Sequence, residues 1–221
     1  MRIPFSELDE PFKLGLDEMK KGDYVSALKY LDQTSKTASK YFHFAKGVCL
    51  FNVWGNNKEF IYEVPKRTKE FSNHFIQGRF DSKSFESMKN TVNKWETELK
   101  RAYETIKKAL DMDPNFKEAR QFMNWMETTS LRDLANLQKT ISKTIRDNLA
   151  LLSPRDFERF IAYLFSKMNY QVQMTTYTAD FGADVLAQRG GHRIVIQVKR
   201  YIGARVGAKE VQQILGSMWK Y

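Results

Sequence analysis

The apolar residues of this 221-residue chain change their spacing after Asn169, and that switch limits what the chain can fold into. Before it they recur at steps of three and four, the period of a helix buried along one side. Beyond it, as far as about Tyr201, they alternate, the period of a strand with one face inward. The expected fold class is therefore α + α/β: a helical N-terminal part followed by a small mixed core.

Within the helical part, Phe12, Leu14, Leu16 and Met19 precede a turn at Gly22-Asp23, after which Tyr24, Ala27, Leu28 and Leu31 resume the period. A second stripe runs through Trp95, Leu99, Ala102, Ile106, Ala109 and Leu110 and stops at Asp111-Met112-Asp113-Pro114. Proline cannot sit inside a helix but begins one well, so the next helix is expected from Phe116 to Met126. Pairs such as Glu96/Lys100 and Glu104/Lys108 mark the solvent face. Residues 55–85, with Gly55-Asn56-Asn57, Pro65, Gly78 and Asp81-Ser82, read as an insertion or as irregular helices. Leu131, Leu134, Leu137, Ile141 and Ile145 give residues 128–151 the pattern of a polar helical linker. The expected domains are 1–127, this linker, and 152–221.

Leu14-Gly15, Gly22, Tyr24 and Ala27, then Ala102, Ile106, Ala109 and Pro114, resemble the packing positions of tetratricopeptide repeats. That resemblance implies stacked antiparallel helix pairs and a protein partner bound through them. Two copies fall short of the three that usually stack stably, so a partner or the second domain is expected to cap them.

Beyond residue 152, Ser153-Pro154 caps and opens a helix whose apolar face is Phe157, Phe160, Ile161, Leu164 and Phe165. Three strands are expected: Tyr170 to Met174, Ala183 to Ala187, and His192 to Tyr201, with Gly190-Gly191 as the last hairpin turn. A closing helix from Ala208 to Lys220 carries Val211, Ile214, Leu215 and Met218. The run Asp180-Phe181-Gly182-Ala183-Asp184 puts a carboxylate at the start of the second strand. Ile194-Val195-Ile196-Gln197-Val198-Lys199-Arg200 puts an ammonium at the end of the third. Metal-dependent phosphodiester hydrolysis needs that pair: an oxygen ligand for a hard divalent cation, and a fixed positive charge to orient water or stabilise the crowded phosphate. Gln197 and Lys199, two apart, share one strand face while Ile196 and Val198 take the other. Two polar groups are costly to bury unpaired, and a site accounts for them. Gly182 is expected to leave room for a cation and a phosphate near the backbone.

Composition narrows the chemistry. With 36 basic against 26 acidic residues the chain carries +10, which suits a polyanionic partner. Cys49 is the one cysteine, and His43, His74 and His192 lack metal-ligand spacing, which excludes a disulfide framework and a thiolate zinc site built by one chain. No apolar run approaches the roughly 20 residues of a membrane helix, and the N-terminus has no signal-peptide stretch. No membrane association and a cytoplasmic location are expected.

Phe157-Glu158, Asp180-Phe181-Gly182-Ala183-Asp184, Gln197-Val198-Lys199 and Val211-Gln212-Gln213 together resemble the Mrr-type restriction endonucleases of the PD-(D/E)xK nuclease superfamily, over about residues 152–221. The resemblance implies a restriction-endonuclease-like αβββα core and an Mg²⁺- or Mn²⁺-dependent endonuclease acting on DNA, in restriction or defence against foreign or modified DNA. It makes Asp184 the primary metal ligand, joined by the Val198 backbone carbonyl, with Glu158 completing the outer shell. Asp184, Gln197, Lys199 and Glu158 are then the catalytic set, and Asp180 orients the turn. Arg200, Arg205, Lys209 and Gln213 become nucleic-acid contacts. The superfamily's fourth strand does not appear before Tyr221, so the core is expected to be incomplete and a homodimer to form. Phosphate chemistry alone does not separate DNA from RNA. A non-catalytic DNA-binding or scaffold protein that keeps the nuclease fold is the alternative.

Overall fold

The computed structural model describes residues 3–56, 62–176, 182–199 and 206–219. It is mostly helical, with one three-stranded sheet near the C-terminus. The chain divides into two compact units, one of residues 1–68 and 87–140, the other of residues 69–86 and 141–221.

The first unit begins with α1 (Glu10–Lys21), α2 (Tyr24–Leu31) and α3 (Lys40–Gly55). Asp9 caps α1 by accepting the Phe12 N–H, and Asp23 caps α2 from Ser26 N–H. The expected turn between them is present, with Gly22 as the left-handed cap of α1. Phe12, Ala27, Leu31, Phe42, Ala45 and Cys49 form the buried core of the three helices. A Cβ on Gly15 would sit 3.0 Å from Leu31 Cγ, which shows how closely α1 and α2 approach. After α4 (Val64–Ile76) come α5 (Ser82–Met112), α6 (Lys117–Met126) and α7 (Arg132–Asn148). The limits of the two units fall within α4, α5 and α7.

Residues 62–85 contain more order than the turn-rich composition of the 55–85 stretch suggests. Val64, Thr68, Phe71 and Phe75 are all buried, at steps of four, three and four. Pro65 lies in the first turn of α4, where the missing N–H costs nothing, so it helps start the helix rather than break it. Residues 69–86 pack within the second unit, although the sequence reading assigned them to the helical domain. Phe75 and Phe80 lie edge-on to Phe160, and Phe85 lies edge-on to Tyr163. The Tyr163 hydroxyl donates to the Glu86 carboxylate, which also pairs with Lys167 at 2.7 Å.

In the second unit α8 (Pro154–Lys167) starts as its sequence dictates, with the Ser153 side chain accepting from Asp156 N–H and proline at the first position. β1 (Gln171–Met174), β2 (Val185–Arg189) and β3 (His192–Ile196) form an antiparallel sheet in that order. Pairing of Val172 with Ala187 and of Ala187 with Ile194 puts these apolar residues in one row. Gly190 and Gly191, at φ +55° and +80°, make the tight turn. α9 (Ala208–Met218) follows. One strand is shorter than expected: β3 ends at Ile196, leaving Gln197, Val198 and Lys199 beyond the ladder.

Candidate active site

A side chain meets the backbone where that ladder ends. Asp184 precedes β2, donates its own N–H to the Ile196 carbonyl at 2.8 Å, and accepts Thr175 N–H at its carbonyl at 3.1 Å. Its carboxylate Oδ2 then accepts the N–H of Val198 at 2.5 Å. Val198, whose carbonyl is the expected metal ligand, thus has its N–H on the Asp184 side chain. The carboxylate is held against the backbone between Gln197 and Lys199. Asp184 and Gln197 are half-buried and Lys199 is exposed.

Gly182 behaves differently from the expectation. Its φ of +87° is one that glycine tolerates and other residues resist. A Cβ there would lie 3.2 Å from Gln213 Cβ and 3.3 Å from Gln197 Nε2. The space opened by the missing side chain is occupied by these two glutamines. Gln197 Nε2 donates to Gln213 Oε1 at a long 3.4 Å, so Gln213 approaches the site through Gln197. Gln197 and Lys199 line an open groove of about 380 Å³ together with Glu210 of α9, whose carboxylate accepts Gly207 N–H at 3.0 Å. Two larger grooves of the second unit, of 490 and 580 Å³, contain neither Asp184 nor Lys199, so size does not identify the site.

Glu158 is 7% exposed on α8. Its Oε2 accepts from Arg155 Nη1 at 2.6 Å, a buried carboxylate satisfied by a guanidinium. Arg155 was not singled out in the sequence. Its signal was the i,i+3 spacing to Glu158 and a cation in the first turn of a helix, where the macrodipole disfavours positive charge. Lys209 and Gln213 are exposed on α9. Arg200, Arg205 and Asp180 lie outside the described residues.

Among the described residues no group of three or more His, Cys, Asp or Glu side chains converges. The Asp184 carboxylate meets the Val198 N–H, and the oxygen donors that the two segments carry are that carboxylate, the Val198 carbonyl and the Gln197 amide. This hard, sparse donor set fits Mg²⁺ or Mn²⁺, ions that keep several waters and complete their shell on substrate phosphate, better than a fully protein-ligated metal.

Among the described residues no helix is long and apolar enough to cross a membrane. No curated protein matches the chain, and no solved structure does. A family model described as a restriction endonuclease, the Mrr catalytic domain, matches residues 149–221. This C-terminal segment is therefore similar to a restriction-endonuclease domain, and Glu158, Asp184, Gln197 and Lys199 all fall inside the matched span.

Proposed function

We propose that the chain is a divalent-cation-dependent endonuclease that hydrolyses DNA phosphodiester bonds, in restriction of or defence against foreign or modified DNA. The observation that carries the reading is the Asp184 carboxylate seated on Val198 N–H, with Gln197 and Lys199 on either side. A fixed anion seated on the backbone next to a cationic residue is what a phosphate and its attacking water require.

Asp184 and the Val198 carbonyl would hold Mg²⁺ or Mn²⁺, with the Gln197 amide and Glu158 near the shell. When bound, the ion supplies charge neutralisation at the phosphate and a more acidic water. Lys199 orients the water for attack on phosphorus and stabilises negative charge on the non-bridging oxygens as the bond to the leaving oxygen breaks. Lys209 and Gln213, with Arg200 and Arg205, serve as nucleic-acid contacts. The helical first unit, read as tetratricopeptide-like, holds a protein partner. Two copies of the chain are needed to cut both strands together, which favours a homodimer.

The test is incubation of the full chain with supercoiled plasmid, methylated and unmethylated, with Mg²⁺, Mn²⁺ or EDTA. Nicked or linear product that requires the cation and is lost in Asp184→Asn is the expected result. Tight DNA binding without cutting under any cation would instead support the non-catalytic DNA-binding reading.

A further inference from the structure

Arg155 bridges two parts of the site that the sequence places far apart. One arm of the guanidinium, Nη1, is 2.6 Å from Glu158 Oε2, and the other, Nη2, donates to the Thr175 carbonyl at 3.2 Å. Thr175 is in turn bound to the Asp184 segment. Its N–H donates to the Asp184 carbonyl, and its buried hydroxyl reaches the carbonyls of Ala183 at 2.6 Å and Asp184 at 3.2 Å. From Asp184 the path continues through the carboxylate to Val198, beside Lys199. A single fork therefore connects the helix carrying Glu158 to the rung carrying Asp184.

Local preference does not explain an arginine at this position. Asp156 in the same turn suits the positive end of the helix dipole, whereas a cation there is disfavoured. A lysine would satisfy the charge of Glu158 equally well. A planar group with several fixed donors spans a carboxylate and a carbonyl in a set geometry, which a compact ammonium on a flexible stem does not fix.

We infer that Arg155 is a positioning residue: it fixes the Glu158 carboxylate relative to Asp184, so that both acids are placed for one divalent cation before substrate arrives. The inference rests on the nuclease reading above and adds to it a residue outside the expected catalytic set. Thr175 is the second half of the same device, since its hydroxyl holds the two carbonyls that lead into Asp184.

The test uses Arg155→Lys in the full chain, because lysine keeps the charge and loses the fork. Mn²⁺ binding by calorimetry, without DNA, is read beside plasmid cleavage and thermal unfolding. Outer partners of metal ligands typically contribute about 10- to 100-fold. R155K is accordingly expected to weaken Mn²⁺ binding and lower kcat by about tenfold or more, with KM for DNA within about twofold and Tm nearly unchanged. Thr175→Val is expected to shift both readouts in the same direction, and Thr175→Ser, which keeps the hydroxyl, to restore them.

Wild-type Mn²⁺ affinity and kcat in R155K would overturn the inference, as would losses in R155K and T175V that follow a fall in Tm. Asp184→Asn separates the two levels. If D184N loses Mn²⁺ binding and cleavage while R155K retains both, only the role of Arg155 fails. If the wild-type chain neither binds Mn²⁺ nor cuts DNA, the nuclease reading fails and takes the inference with it.

Discussion

Two substitutions at Asp184 separate its chemical role from its structural one. The carboxylate accepts Val198 N–H at 2.5 Å and closes the sheet where the backbone ladder stops. Asparagine keeps one acceptor oxygen for Val198 N–H and replaces the charged carboxylate with a neutral amide, so Asp184→Asn should cost about 1 kcal/mol, the difference between a charge-assisted and a neutral hydrogen bond. Alanine leaves the half-buried Val198 N–H without that partner, and Asp184→Ala should cost about 1–3 kcal/mol. For a unit of this size each kcal/mol corresponds to roughly 4–8 °C in Tm. Tm, followed by circular dichroism or calorimetry, should therefore fall from wild type to D184N to D184A. Cleavage of plasmid in Mg²⁺ should be abolished in both, because neither offers an anionic oxygen to a hard cation. A folded D184N that cuts at full rate would refute the assignment of Asp184. A D184A protein that melts with the wild type would refute the ladder closure.

Lys199→Ala should lower the cleavage rate by about 10²-fold or more, if the ammonium acts on the water or the phosphate charge, while DNA affinity measured by fluorescence anisotropy stays within a few-fold; a large binding loss with unchanged turnover would make it a phosphate contact only. Burial pushes the Asp9 carboxyl up, but hydrogen bonds from Thr34, Ser35 and Phe12 together outweigh it and hold the group well below the usual carboxylate range. A depressed folded pKa gives stability that is present above the unfolded value and lost as pH falls, so acid unfolding of the first unit should set in below about pH 4 and be blunted in Asp9→Asn. Identical acid profiles for the two proteins would contradict this. On α9, Val211, Leu215 and Met218 are 48%, 54% and 59% exposed at steps of four and three, an apolar stripe suited to pairing with a second copy of the chain. Light scattering at high micromolar concentration should therefore give a dimer, and the 26.0 kDa monomer mass would defeat the idea.

Helix and strand were legible wherever one face is apolar and the breakers stand at the ends. The Gly22-Asp23 turn, the Ser153-Pro154 start and the Gly190-Gly191 hairpin all follow from local chemistry that few tertiary contacts can override. Helix α4 was legible only as part of an insertion or of irregular helices, for a physical reason. Thr68 fills a buried position in its stripe, so a scan for apolar residues sees a gap, and Pro65 looks like a breaker until its place in the first turn is known. The attachment of residues 69–86 to the second unit was not legible at all. It depends on Phe75, Phe80 and Phe85 meeting Phe160 and Tyr163 about eighty residues later, and no local pattern encodes a partner at that distance.

At the site, residue types and chain order were readable, but the way they meet was not. Alternation carried through Gln197 and Lys199 suggested one continuous strand, with both side chains aimed from a regular pleat. Alternation reports which residues suit two environments; it does not report which hydrogen-bond acceptor each N–H finds. Asp184 offers its carboxylate to Val198 N–H, and the segment carrying Lys199 lies beyond the ladder while remaining tied to the acid. The same limit hid Arg155. Its partners are Glu158, one turn away and visible in the sequence, and the Thr175 carbonyl, a backbone atom that no side-chain pattern can point to. A backbone acceptor brought close by sheet pairing gives this arginine a second anchor, which turns an ordinary i,i+3 ion pair into a link between the helix and the strand start.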